Sequence, residues 1–282
     1  MASAYCSLEG VCGKPAGVTP TAPVYHDAWT AWVRHPGHGA CLPYLLDGDG
    51  VRAVESAAAG RPPPRPLSRL RRWQLVAPGV LTLPEQHDQE RARWELTAAR
   101  AREEFERCGI APIPSVIEPL HLGRIRRYYR TLVRRSGSNG VHLGDKQTAG
   151  RYVAYNEPVA RFFQHQLVGA VSQVVGHPVK PSFCFSACYI QGPGLPLHVD
   201  RLQCQYTLSV LVDMWPEPFA TAKWPLVLVP TSGRVEVHQA LGDGVVFTGR
   251  EIPHGRPAMR RKWFSTSLLF HYVDLGFEGP LG

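Results

Sequence analysis

The chain has 282 residues, 44% of them hydrophobic and 19% charged, which describes a globular protein with a sizeable core rather than a disordered or fibrous one. No apolar run reaches the roughly 18–20 residues of a membrane span, and residues 1–17 lack the charged-then-apolar pattern of a secretory signal. The net charge of +8 gathers in residues 61–73 and 124–135 without an interleaved aromatic pattern, so a solvated connector and a solvated helix face account for it better than a nucleic-acid site does.

Residues 1–80 read as irregular, with a short helix over 27–33 and a stiff extended connector at the prolines of 62–66. A helix over 85–107 stops at Gly109. A short strand is expected at 110–117. The helix after Pro119 carries Leu122, Ile125, Tyr129 and Leu132 on one face. The helix after Asn156 has Pro158 in its first turn and Val159, Phe163, Leu167, Ala170 and Val174 as its apolar stripe. From Gly176 the pattern becomes strand after strand: 182–190, 205–214, 225–230, 234–238, 244–249 and 263–273, with turn signals between them. In the first of these, Phe183, Phe185, Ala187 and Tyr189 share a face. The chain carries 27 glycines and 26 prolines, a turn-rich composition that fits such a fold. The expectation is a mainly β (α+β) protein with a double-stranded β-helix, or jelly-roll, core over 109–282 with flanking helices. Residues 1–108 form an N-terminal extension, a candidate lid or substrate-recognition segment. The seven cysteines are irregularly spaced. Without an export signal they are expected to be reduced thiols in the cytoplasm.

Chemistry concentrates at His198-Val199-Asp200. In extended chain, residues two apart point to the same side, so one short element aims an imidazole and a carboxylate at one point. His254 follows a second glycine turn. Two histidines and one carboxylate on one face leave three coordination positions open, as in the facial triad of non-heme iron(II) oxygenases. An isolated HxD is weak in a chain with twelve histidines, and satisfied loop histidines are the plain alternative. The position of each residue beside a turn in the β half favours a metal site.

The stretch ACYIQGPGLPLHVD (187–200) resembles the metal-site segment of the prolyl-hydroxylase-like branch of the Fe(II)/2-oxoglutarate-dependent dioxygenases, with Tyr189, Gly192, His198 and Asp200 matching. Residues 241–271 are similar to that family's C-terminal block, in which a glycine turn and strand lead to the distal histidine and a basic residue opens the last strand. The resemblance covers 182–273, extends more weakly to 110–135, and leaves 1–100 unmatched. It implies that His198, Asp200 and His254 hold Fe(II) and that Tyr189 hydrogen-bonds the cosubstrate 2-oxoglutarate. Lys262 or Arg260 would pair with the distal carboxylate, with Arg256 and Arg261 as weaker candidates and Ser265 or Ser267 adding a hydroxyl. Arg201 would reach a substrate carboxylate or make a surface salt bridge. The reaction implied is O2-dependent hydroxylation of an unactivated C–H bond, with succinate and CO2 as coproducts. The substrate would be an amino acid, a peptidyl residue or a natural-product intermediate. An aspartate at 200, where halogenases have a small residue, opposes halogenation. Three other readings stand beside this one. A nucleic-acid demethylating dioxygenase is opposed by Ala187, where such enzymes carry asparagine. A cupin-like metal-binding protein would lack 2-oxoglutarate chemistry. A non-catalytic interaction protein is opposed by the intact triad.

Overall fold

The structure is a computed structural model that describes residues 11–12, 29–62, 66–83, 85–136 and 141–282. The expectations for residues 1–10, for the start of the 27–33 helix and for the prolines at 63–64 lie outside the described residues. The chain divides into two compact units, Met1–Leu96 and Thr97–Gly282. The division lies within the long helix Gln86–Cys108, whose last residue is the boundary expected from the sequence.

In the first unit, β1 (Val11–Cys12), β2 (Thr30–Arg34) and β3 (Cys41–Leu45) form an antiparallel sheet in that order. This corrects the helix expected over 27–33: Thr30–Arg34 is a strand. Its Ala31, Trp32 and Val33 are buried against the unit's interior, and β3 satisfies its backbone from Thr30↔Leu45 to Arg34↔Cys41. The intervening turn depends on Gly37, where a Cβ would stand 2.3 Å from the Trp94 ring. Helices α1 (Gly48–Ala58) and α2 (Arg69–Val76) follow, capped by Asp47 and Ser68 side chains that accept from Gly50 N and Arg71 N. Helix α3 (Gln86–Cys108) comes next. Cys41 is disulfide-bonded, which corrects the expectation of wholly reduced thiols. Cys108, Cys184, Cys188 and Cys204 are free.

The second unit opens with β4 (Ile110–Ile113), α4 (Leu122–Arg134), β5 (His142–Leu143), β6 (Arg151–Tyr155), α5 (Pro158–Gln166) and α6 (Val168–Val175). Eight strands follow: β7 (Val179–Gly192), β8 (Leu195–His198), β9 (Tyr206–Trp215), β10 (Leu226–Leu228), β11 (Val235–Val237), β12 (Gly244–Phe247), β13 (His254–Arg256) and β14 (Met259–Asp274). They build a seven-stranded sheet, β4-β12-β9-β14-β7-β6-β5, and a four-stranded sheet, β11-β10-β13-β8. Leu226 and Leu228 of the small sheet pack with Ile110, Val245 and Phe247 of the large one, and this interior is the barrel of a jelly roll.

Helices cover the outer face of the large sheet. The helix expected from Pro158 to Val174 is two, divided at Leu167. Gln164 of α5 donates through Nε2 to the carbonyls of Phe183 and His271, both at 2.8 Å, clipping the helix to β7 and β14. Glu157 caps α5 and accepts from the hydroxyls of Tyr128 (2.5 Å) and Tyr129 (2.7 Å) on α4. Arg126 and Arg130 donate to the wholly buried Asp213, so this part of the basic helix is an ion-pair face and not the solvated face expected. With both faces covered, β9 is buried from Tyr206 through Met214 and reads as a near-continuous apolar run. The inner face of the large sheet is set by register: Tyr189↔Ser265, Ala187↔Ser267 and Phe185↔Leu269 across β7–β14, then Leu269↔Ser209 and His271↔Thr207 across β14–β9.

Candidate metal and cosubstrate site

His198 ends β8, His254 begins β13, and the two are direct cross-strand partners in the small sheet. Each ring is fixed in the same way. Nδ1 of His198 donates to the Pro196 carbonyl and Nδ1 of His254 to the Ile252 carbonyl, both at 3.0 Å. With the proton on Nδ1, Nε2 presents a lone pair. The two Nε2 atoms converge on one oxygen, Asp200 Oδ1, at 3.7 and 3.6 Å. These separations exceed a hydrogen bond and suit a single ion held between three donors. Burial pushes the His254 imidazole below its ordinary range, favouring the neutral form that ligates.

The other side of Asp200 is also held. Oδ2 accepts from Thr207 Oγ1 at 3.1 Å, and the backbone N–H donates to the Gly249 carbonyl at 2.9 Å. Thr207 Oγ1 lies 3.0 Å from Nδ1 of His271, whose ring burial pushes down to about 4 and so keeps neutral. Thr207 thus donates to the carboxylate while accepting from the imidazole. A Cβ on Gly249 would stand 2.6 Å from Asp200 Oδ2 and 2.5 Å from Thr207 Oγ1, so only glycine lets the strands close here. A second grouping, Asp200, Cys204 and His271, shares the carboxylate. It suits a cation less well, because burial raises the Cys204 thiol strongly and His271 is already engaged with Thr207. A cavity of about 490 Å³ opens beside the triad.

No protein-family model matches the chain, and no curated protein matches its sequence. Solved structures do match its fold. The non-heme alpha-ketoglutarate-dependent epimerase SnoN from nogalamycin biosynthesis is 16% identical, with a TM-score of 0.51 over 65% of this chain and 83% of that one. AviO1 from Streptomyces viridochromogenes Tue57 is 21% identical, with a TM-score of 0.51 over 65% and 97%. The non-heme alpha-ketoglutarate-dependent carbocyclase SnoK from nogalamycin biosynthesis is 14% identical, with a TM-score of 0.51 over 63% and 86%. The fold is that of the Fe(II)/2-oxoglutarate-dependent oxygenases.

An oxygenase of this fold has to accommodate a dicarboxylate inside the barrel, and the interior can be tested for it. Tyr189 is buried, and its hydroxyl accepts from Arg151 Nη1 at 2.9 Å, which leaves its own proton free to donate. Arg151 is otherwise matched by Asp145 (2.8 Å from Nε) and Gln147 (2.6 Å from Nη2). Arg256 differs. It is buried, its guanidinium lies 4.9 Å from the Trp224 ring centroid, and its polar contacts are two long ones, to Gln239 Oε1 and Ser267 Oγ at 3.4 Å. Among the described residues it has no carboxylate partner. Burial pushes it down to about 10, so it remains a cation at neutral pH. The hydroxyls of Ser209 and Ser265, on the inner faces of β9 and β14, are buried without a hydrogen-bond partner. An unmatched cation with unmatched hydroxyls is the interior that an anion would complete.

The residues expected to provide this cation stand elsewhere. Lys262 is exposed at a positive φ of 65°, its backbone N–H bonded to Gln191 Oε1, and Arg260 is exposed beside the Trp263 ring. Both lie in the irregular stretch between Met259 and Phe264, where the register of β14 shifts, and Arg261 beside them is exposed too. The sequence did hold a sign of Arg256. It sits two residues after His254 on one short strand, the same alternation that pairs His198 with Asp200. Arg151, Thr207 and His271 had no such sign.

Proposed function

We propose that the protein is an Fe(II)- and 2-oxoglutarate-dependent dioxygenase that hydroxylates an unactivated C–H bond of a small-molecule or peptide substrate. His198, Asp200 and His254 would hold the iron. Arg256, with Tyr189 and the Ser265 and Ser267 hydroxyls, would hold the far carboxylate of 2-oxoglutarate, in place of Lys262 or Arg260. The observation that carries the reading is the pair of imidazole Nε2 atoms aimed at one carboxylate oxygen, in the same barrel as a buried arginine that has no acidic partner among the described residues. The loaded site would supply oxygen activation, with succinate and CO2 as coproducts. The chain's own residues bind, orient and exclude water: the fixed rings present the lone pairs, Thr207 holds Asp200, and Arg256 draws the dicarboxylate into the barrel.

The test is anaerobic titration with iron(II) and 2-oxoglutarate, followed by succinate formation on admission of O2. A weak visible charge-transfer band near roughly 500 nm, lost in His198→Ala, supports the assignment. A folded protein that forms neither band nor succinate sinks it in favour of a cupin-like metal-binding protein. An epimerase and a carbocyclase share the fold, so the mass of the product decides the outcome: one added oxygen for hydroxylation, none for isomerisation, loss of two hydrogens for ring closure or desaturation. The Cys41 disulfide fits an oxidising compartment better than the cytoplasm. No helix among the described residues is long and apolar enough to cross a membrane.

A further inference from the structure

The cavity beside the triad carries more than the cosubstrate needs. At about 490 Å³ it is in the range of sites that enclose a whole small molecule. One wall is aromatic: Tyr155 and Phe183 stack with centroids 5.1 Å apart at 26°, and the Phe183 ring lies 4.4 Å from that of His271. Below them the lining is apolar, with Val153, Leu195 and Leu269. Charge stands at the lip. Arg201, directly after Asp200, is exposed with its guanidinium 6.0 Å from the Phe183 centroid, and Lys146 is exposed on the turn between β5 and β6.

The charge balance separates these two cations from the rest. Asp145 and Arg151, also in the lining, neutralise each other, and Asp145 further accepts from the backbone N–H groups of Gln147 and Thr148. A divalent ion, a dicarboxylate dianion, Asp200 and Arg256 carry no net charge together. Lys146 and Arg201 are left in surplus, with no carboxylate partner among the described residues. A cleft whose excess charge has one sign concentrates ligands of the other.

Resting on the assignment of iron and 2-oxoglutarate above, we infer that the substrate is an organic acid: a flat apolar ring lies against Tyr155 and Phe183, and its carboxylate sits between Lys146 and Arg201. The ring edge then faces the metal centre, and the acid group marks the end that is not oxidised.

The experiment uses the full chain loaded with zinc(II) in place of iron and saturated with 2-oxoglutarate, so that no turnover occurs and the metal positions are occupied. Saturation-transfer NMR compares 3-phenylpropionate with the neutral, near-isosteric 3-phenylpropanamide. The acid is expected to bind about tenfold more tightly, the worth of one charge-assisted pair. In the double variant Lys146→Gln, Arg201→Gln that advantage disappears, while the affinities for the amide and for 2-oxoglutarate stay within about twofold. Equal binding of acid and amide, transfer to neither, or an advantage that survives the double substitution overturns the inference. Whether the metal site exists is read separately, by manganese(II) paramagnetic resonance of wild type against His198→Ala. If that fails, the oxygenase assignment falls while the acid-against-amide comparison remains readable on the metal-free protein.

Discussion

Two sets of polar groups in the same barrel are treated in opposite ways. At the triad, each imidazole has its proton on a backbone carbonyl, and Asp200 is held through Thr207 and the Gly249 carbonyl. In the second set, Arg256 has only long polar contacts, and the hydroxyls of Ser209 and Ser265 have no hydrogen-bond partner. The strands are the same ones: β14 carries His271 and Ser265, and β9 carries Thr207 and Ser209. The contrast separates two jobs. In the proposed reading, groups that must keep a fixed direction are satisfied by the protein, whereas groups that would meet an anion are left unmatched at a cost to the ligand-free state.

The largest test of this contrast is His198→Ala, which should reduce iron- and 2-oxoglutarate-dependent succinate formation to the level of buffer controls while leaving Arg256 able to bind anions. Next is Arg256→Met, which should act in two directions. The 2-oxoglutarate concentration for half-saturation rises about a hundredfold, because a buried charge pair has lost one member. The ligand-free protein, freed of an unmatched buried cation, becomes more stable by about 1–3 kcal/mol in urea unfolding. If Arg256→Met is destabilising and leaves 2-oxoglutarate binding intact, the two sets of groups do not differ as described. Lys262→Ala and Arg260→Ala should leave that affinity within about twofold, as exposed charges do.

A third test uses pH. His271 takes up a proton near 6.5 when unfolded but only near about 4 in the fold. The unfolded chain therefore binds more protons between these values, and stability present above pH 6.5 is lost as pH falls towards 4, by about 3 kcal/mol. Urea midpoints across this range should follow that slope, and His271→Gln should flatten it. A more modest effect is expected at Thr207. Thr207→Val releases Asp200 Oδ2 and should weaken manganese(II) binding about tenfold, with Thr207→Ser restoring it. Equal affinities for all three proteins would mean that Asp200 is held by its backbone alone.

Much of the site was legible in the sequence because its signals are local. HxD needs only the alternation of extended chain, and the strands after Gly176 announce themselves through turn residues. What escaped depends on register or on distant chain. Arg151 reaches Tyr189 only because β6 lies beside β7. Thr207 and His271 meet through a cross-strand pairing of residues far apart in sequence. Lys262 and Arg260 were placed by the family's spacing from the distal histidine, and the register shift at the start of β14 leaves both of them exposed. The 30–45 hairpin was missed because Trp29, Trp32 and Val33 also fit a helical spacing, and the burial of Ala31, Trp32 and Val33 is a tertiary matter.

The direct pairing of His198 with His254 bears on when the protein can be loaded. Strands β9 to β12, members of both sheets, lie between the two residues in the chain. The two imidazoles therefore become neighbours only once the barrel has closed, since a contact between distant parts of the chain forms late and at an entropic cost. Until those strands pair, a growing chain offers only His198 and Asp200, and the third candidate ligand arrives with β13. In the proposed reading the complete three-ligand site exists only in the folded protein, so discrimination between metals rests on the geometry that the paired strands impose.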